Sequence, residues 1–548
     1  MGKRKGGMKL TRWAKPFVWA LVCSLLLIPV VAPAAAAAEI DRVVTVAGSQ
    51  LVFTRQNPIY YSTDAEMQYY PLLWMTLTWQ NTEGGYDLWL AKEFTMNNQC
   101  NIVYIELHPE ARWSDGTPLT TADVAFTMKL LLHPKLVDPP LSASGTAAAA
   151  KILGADAFKA GLTGELEGIR IIDDHRMEIH LAVPDCLWTE GTHTSFIGIQ
   201  PRHLLEPVWD ELDTHPYLDG PVVTSGPYKQ TRLELNQYVE LERWDDWWGN
   251  EIFGQPRIKR LAVVQFTTGT TPRHTQLEAG ELHVGGVDGA EVARFERMNH
   301  LVLYRQPTLG IQFYFLNHKK PYMTKEVRQA IDYALNKPIV AALAHFGLSE
   351  PVATPIFGPD WAVNPDIQPR PYDPAKARQL LEQAGWDFSR KLVYIATDVE
   401  DKRGEVAQQL LREVGIDMEI QVMSPEQWRQ RLVSGDYDMS ASGGGVLGQD
   451  PSVICTYFTP DSAWTQWVGW TNERFYELCA AINATRDQAE RQRIAYELQE
   501  ILFDELPWIS YGRMVAVFAV DKRLGGFKPN PYSINRGLTS VMDWYWIE

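Results

Sequence analysis

The chain has 548 residues and carries 51 Lys and Arg against 67 Asp and Glu, a formal net charge of −16; it is too long for one compact core, so two or three domains are expected. A composition 45% apolar and 22% charged is that of a globular protein and excludes wholesale disorder, while the acidic balance excludes nucleic acid and anionic lipid as primary partners, because both call for basic patches. Twenty Trp are a surplus that asks either for unusual core volume or for a surface where flat rings are useful.

The first 38 residues read as an export signal. Lys3, Arg4, Lys5, Lys9, Arg12 and Lys15 make a positive start, residues 17–31 are apolar, and Pro33 leads into small residues ending at Ala38, where cleavage is expected. A retained anchor is the alternative, but the apolar run is short, broken by Pro29 and followed by alanines rather than a basic stop. Cys23 lies inside that run with Val22 before it, which argues against a lipidated cysteine. Losing six basic residues takes the basic total from 51 to 45 against 67 acidic residues, and the mature net charge to −22. Cys100, Cys186, Cys455 and Cys479 remain; sequence order suggests pairing Cys100 with Cys186 and Cys455 with Cys479, with three connectivities possible and buried free thiols as the alternative.

Residues 43–47, Val-Val-Thr-Val-Ala, begin as a strand, followed by an aromatic loop at Asn57-Pro-Ile-Tyr-Tyr61. A helix is expected over residues 67–79, with Tyr69, Tyr70, Leu73, Trp74 and Leu77 crowding one side as core. Residues 101–107 alternate as a strand that delivers the chain to Trp113-Ser-Asp-Gly-Thr-Pro-Leu-Thr-Thr-Ala-Asp-Val-Ala-Phe-Thr127. There Asp115-Gly116 has turn chemistry, and Thr120 stands three residues before Asp123, a capping-box spacing ahead of Val124, Met128 and Leu131. A helix carrying Phe158 and a hairpin at 169–182, turning at Asp173-Asp-His175, come next. After Ser225-Gly-Pro-Tyr228, two strands flank an aromatic corner at Trp244-Asp-Asp-Trp-Trp-Gly249, and a helix stopping at Gly280 enters a short strand.

Beyond Tyr304 the character changes. Residues 311–317 are an apolar strand, Thr324 starts a helix, and Asp373-Pro374 starts another that stops at Gly385. Strand, helix and strand then alternate at 392–395, 406–411 and 418–422, which implies an open sheet with parallel pairs. A strand leaving at 437–442 runs into Gly443-Gly-Gly445 and Gln449-Asp-Pro451, and in open α/β sheets ligands gather at such carboxyl ends. The last long helix stops at Pro507, and residues 508–512 are extended. Changes of character near residues 305 and 512 are those of a two-lobed chain with two crossing strands.

Five blocks in order carry a resemblance: residues 113–127; Ser225-Gly-Pro-Tyr228 with Trp248-Gly249; residues 277–284; Val327-Arg-Gln-Ala-Ile-Asp-Tyr-Ala-Leu-Asn-Lys337; and Asp373-Pro-Ala-Lys-Ala-Arg-Gln-Leu-Leu-Glu-Gln-Ala-Gly385. Together they resemble the solute-binding proteins of peptide, nickel and oligosaccharide ABC importers, family 5, over nearly all of the mature chain. The resemblance implies an α/β, two-lobed periplasmic-binding-protein fold of the large, class II-like kind, with lobe 1 at 39–305 including an extra subdomain around 85–215, lobe 2 at 306–511, and a return to lobe 1 at 512–548. It implies a periplasmic or extracytoplasmic monomer that closes over a peptide or sugar and hands it to an ABC permease, with no catalysis, no cofactor, no metal and no nucleic acid.

The candidate ligand contacts are Gly443, Gly444, Gly445, Val446, Leu447 and Asp450 in the glycine-rich loop, together with Asn57, Trp361, Trp467 and Trp470. Peptide binders of the resembled family usually place an Asp before this Asp-Pro pair to meet the ligand ammonium; here Leu447 falls at that position, and an apolar side chain cannot neutralise a buried charge. Another acid must substitute, Asp450 among the options, or the ligand has no free amino end. The Trp residues keep an oligosaccharide open as ligand, since flat rings stack on sugar faces, although Trp is more often core. A secreted carbohydrate-active enzyme is the alternative of another class; the adjacent Asp245 and Asp246 point apart in an extended segment, whereas glycoside hydrolysis needs two acids facing one bond. A binding protein that serves a receptor instead of an importer is the third reading.

Overall fold

The computed structural model describes residues 42–48, 57–60, 69–136, 143–189, 194–220, 223–235, 237–266, 270–397, 402–445, 448–460, 462–532 and 537–547. The expected export segment and the loop positions Val446 and Leu447 lie outside them.

In chain order, β1 (Val43–Ala47) is followed by a hairpin of β2 (Thr78–Gln80) and β3 (Tyr86–Leu88). β4 (Ala91–Met96), β5 (Ile102–Leu107), β6 (Ile169–Ile171) and β7 (Arg176–His180) form a separate antiparallel sheet in the order β4-β5-β7-β6. β8 (Tyr228–Glu234), β9 (Tyr238–Arg243), β10 (Arg260–Val264) and β11 (Val284–Gly286) lead to the long β12 (Leu301–Leu316). β13 (Ser349–Glu350), β14 (Lys391–Ala396), β15 (Asp417–Val422), β16 (Met439–Gly444) and the long β17 (Trp508–Asp521) follow, before a final pair, β18 (Leu524–Gly525) and β19 (Tyr545–Trp546).

The large sheet runs β15-β14-β16-β12-β17-β11-β1-β10-β9-β8, with β13 beside β17. β14 is parallel to β15 and β16 at one end, and β1 is parallel to β10 and β11 at the other. Parallel strands need helices over both faces, so each group builds its own α/β lobe. The antiparallel pair β12–β17 passes between them: Leu301, Val517 and Ala519 sit in an apolar cluster with Ala47 and Leu277, whereas Tyr314, Leu316, Ile509 and Tyr511 sit in another with Leu392 and Leu411. The register of that pair slips between Pro307 and Ile311, close to where the sequence changes character.

The small sheet explains the most punctuated stretch of the sequence. The helix Thr121–Leu130 starts at a capping box, with the Thr120 N–H donating to Asp123 Oδ2 at 2.8 Å, and buries Val124 and Met128. It is tied to the β6–β7 turn by Thr121 Oγ1 donating to the Asp173 carbonyl at 2.7 Å. The disulfides are Cys100–Cys186 and Cys455–Cys479, closing 86 and 24 residues of chain; loops of that size restrict the unfolded state by roughly 3 to 5 kcal/mol each.

The Trp surplus is mostly core. Trp74, Trp113, Trp188, Trp247, Trp508 and Trp544 are among the largest fully buried side chains. In the aromatic corner, Trp247 and Trp248 both donate to the Ser225 carbonyl, at 2.9 and 3.2 Å, while Ser225 Oγ accepts the Met75 N–H. Gly226 is obligatory in that motif, because a Cβ there would stand 2.3 Å from the Leu72 carbonyl oxygen.

One element departs from expectation. Instead of a helix over 67–79, the described part holds a single turn, Tyr70–Leu73, and the chain is extended by Trp74 and paired as β2 by Thr78. Trp74 Nε1 donates to Tyr217 Oη at 2.9 Å and Trp79 joins the same core, so tertiary packing of large rings overrides the helical spacing.

Candidate ligand cleft

Strand β16 is buried over Met439–Ala441 and opens to solvent at Gly443. One edge pairs with β12 along its whole length, from Leu316↔Met439 to Ile311↔Gly444. The other edge pairs with β14 only at Tyr394↔Met439 and Ile395↔Ser440. Among the described residues no strand covers that edge at residues 441–444. Ser440 fixes the point where pairing stops: its hydroxyl donates to the Ile395 carbonyl at 2.7 Å and accepts Trp428 Nε1 at 3.2 Å.

The strand ends in backbone that only glycine adopts freely. Gly444 has φ +117° and Gly445 φ +82°. A Cβ on Gly443 would meet the Ile311 carbonyl at 3.3 Å, whereas one on Gly444 would meet nothing within 4 Å. The glycine run is therefore packed on one side and open on the other. An unpaired edge with room beside it can accept an extended chain as an added strand.

Other groups flank the strands that carry this edge, on the far side of β12 from it. In register across the sheet, Gly444, Ile311, Arg513 and Glu350 form one row, and Arg513 Nη2 pairs with Glu350 Oε2 at 2.5 Å, both side chains half-buried. Against the same strands lies an aromatic wall: Phe313 stacks on Trp508 at 4.0 Å, Trp464 stands edge-on to both and to Trp467, and Trp467 is edge-on to Trp428. Trp428, Trp464 and Trp467 are partly exposed, as is Trp361, which packs against the same core.

Three expected contacts are already engaged within the fold. Asp450 receives Arg491 Nη2 on both carboxylate oxygens at 2.7 Å and caps Ser452 N at 2.9 Å, so its charge is already neutralised and it anchors the loop. Trp470 is 3% exposed, donates to Glu505 and packs between Phe458 and Phe475. Asn57 is fully buried, donates to Gln200 at 3.0 Å and accepts the Ile59 N–H at 3.1 Å, capping the turn Pro58–Tyr60. Trp428, Arg513 and Glu350 had no place in the sequence reading; Trp428 is a lone Trp in a polar helix, and the two charges are 163 residues apart.

Among the described residues, no group of three or more His, Cys, Asp or Glu could hold a metal ion, and no helix is long and apolar enough to cross a membrane.

Residues 86–466 match the family model described as bacterial extracellular solute-binding proteins, family 5 Middle. The probable ABC transporter periplasmic-binding protein SapA of Escherichia coli (strain K12) is 25% identical over 384 residues, 67% of this chain and 68% of that protein. The ABC transporter substrate-binding protein CtaP of Listeria monocytogenes has a similar structure, with TM-score 0.79 at 21% identity, covering 92% of this chain and 100% of that one. The oligopeptide-binding protein AppA of Bacillus subtilis, in complex with a nonapeptide, superposes with TM-score 0.72 at 20% identity, over 92% and 98% of the two chains.

Proposed function

The chain belongs to the bacterial extracellular solute-binding proteins of family 5, and on that premise we propose that it captures an oligopeptide between its lobes and delivers it to the permease of an ABC importer. It is a binding component and not an enzyme. The observation that carries the ligand class is the open edge of β16 at residues 441–444, ending in glycines with free space at Gly444. Backbone N–H and C=O groups on such an edge recognise another peptide backbone, giving affinity with little demand on side chains. A nonapeptide complex of a protein with the same fold supports the same class.

The residues we assign to ligand contact are Gly443, Gly444, Gly445, Val446, Leu447, Trp361 and Trp467. Because Asp450 is held by Arg491 and Leu447 is apolar, the ligand ammonium is not neutralised in this loop. The lobes are drawn at 39–305 with the subdomain at 85–215, at 306–511, and at 512–548. Export with cleavage after Ala38 and a monomeric state complete the reading. Lobe closure removes water from the ligand and creates the form that the permease distinguishes.

The test is mass spectrometry of what co-purifies, followed by thermal shift with panels of free-amine peptides, N-acetylated peptides and oligosaccharides. A true ligand raises the melting temperature in proportion to the logarithm of its concentration over Kd. Peptides are expected to shift it, the free and acetylated forms within about tenfold in affinity of each other. A shift by oligosaccharides alone overturns the ligand class, and an affinity that collapses on acetylation overturns the account of the amino end.

A further inference from the structure

Beside the open edge, four stretches of chain far apart in sequence meet. The turn between β2 and β3 is stiffened by Asn81, whose Oδ1 accepts the N–H groups of Glu83 and Gly85 at 3.0 and 2.9 Å. Tyr532 Oη, from the C-terminal tail, donates to the Gly85 carbonyl, and its ring lies 6.2 Å from that of Tyr86. At the register slip of β12, the Leu309 N–H donates to the Pro531 carbonyl at 2.6 Å and the Leu309 carbonyl accepts the Gly448 N–H at 3.4 Å. Tyr86 Oη then donates to Gln449 Oε1 at 2.9 Å, across 363 residues of sequence. Gln449 is itself held in place from behind, since the neighbouring Asp450 is clamped by Arg491.

We infer that Tyr86 and Gln449 form a clasp between the lobes, positioning residues that hold the closed protein over the β16 edge and so set how long a ligand stays. The inference rests on the reading that this edge seats the ligand. Each half of the clasp has ties of its own besides their mutual bond, the hairpin through Asn81 and Tyr532 and the loop through Asp450 and Arg491. Little further ordering is therefore needed when the hydrogen bond forms. The clasp joins the loop that follows the glycine run to an element of the other lobe, so opening the lobes breaks it and releases the end of the edge. Its two partners are a phenol hydroxyl and a carboxamide oxygen.

The test is a double-mutant cycle on the full mature chain with Tyr86→Phe, which keeps the ring beside Tyr532, and Gln449→Met, which keeps the side-chain length. Stopped-flow binding of tri-alanine is expected to show dissociation about fivefold faster for each single variant, association unchanged, and the double variant no worse than either single. Unchanged dissociation, or effects that multiply in the double variant, overturns the clasp. If tri-alanine does not bind the unaltered protein, that counts against the peptide reading and leaves the clasp to a second measurement. Spin labels at the exposed Leu162 and Val433, introduced by Leu162→Cys and Val433→Cys, report the distance between lobes without ligand. Both clasp variants are expected to reduce the short-distance population equally, and identical distributions in variants and parent overturn the inference.

Discussion

The helix start at residues 110–132 and the strand end at residues 439–452 are both punctuated by glycine and acidic residues, yet they use their hydrogen-bonding groups in opposite ways. In the first, Asp115 accepts the Thr117 N–H at 2.9 Å and pairs with His203 at 2.9 Å. Burial pushes its carboxyl up, but the Thr117 N–H and His203 together hold it below its usual value. Asp123 serves Thr120 and Arg202 at once, and Ser114 exchanges hydrogen bonds with Thr224. In the second, Asp450 and Ser440 are equally engaged, but the backbone between them, from residue 441 to 444, has an edge that no described strand covers. A stretch whose turn and cap groups are matched within the fold is scaffold, however recognisable it is. A stretch that leaves backbone groups open along a strand edge has capacity for a further hydrogen-bonding partner.

The largest expected effect falls on a buried ion cluster outside both stretches. Asp332, in the helix Lys325–Ala334, lies buried between Lys337 Nζ at 2.7 Å and Arg370 Nη1 at 2.9 Å. Asp332→Ala leaves two buried cations without their partner and is expected to cost about 3 to 5 kcal/mol in urea denaturation. Any ligand the folded fraction binds should keep its affinity. The open side responds in the other currency: Gly444→Val places a β-branched side chain at φ +117° and fills the space beside the edge. Its expected effect is at least a tenfold loss of peptide affinity by calorimetry, with a backbone-strain penalty of about 1 to 3 kcal/mol. Full affinity in that variant would remove the edge from the binding site.

Smaller effects sharpen the same contrast. Thr120→Ala removes the capping side chain of the signature helix and should lower stability by about 1 kcal/mol, with ligand affinity unaltered. The pH response is gentler. Burial holds His108, His133, His274 and His283 below the ordinary imidazole value of 6.5, and burial with Arg328 alongside pushes His318 down to about 3. In the folded protein these rings take up protons only below the ordinary value, while the unfolded chain already takes them up near 6.5. Their contribution to stability is therefore complete above 6.5 and is lost as the pH falls from there toward their depressed values. Urea midpoints are expected to drop between pH 7.5 and pH 5. The edge at 441–444 holds no titratable side chain, so peptide affinity of the folded protein should change far less over that range.

Much of the fold was legible because its signals are local. Asp373 accepts the Lys376 N–H at the start of the helix Pro374–Gln383, and Gly280 ends the helix Thr271–Ala279 in the left-handed conformation, as spacing alone predicts. The strands expected at 392–395 and 418–422 became the parallel pair β14–β15. The helix expected at 67–79 failed because Trp74 and Trp79 are claimed by partners at Tyr217 and Thr539.

Caps, alternation, the family blocks and the glycine run can be read from the chain alone, because each is a property of residues within a few positions of one another. Which candidate residues are already engaged depends on contacts between distant parts of the chain. Asn57, Asp450 and Trp470 find their partners 143, 41 and 35 residues away. A side chain's free hydrogen-bonding capacity is what remains after such distant pairings, and no local pattern records it.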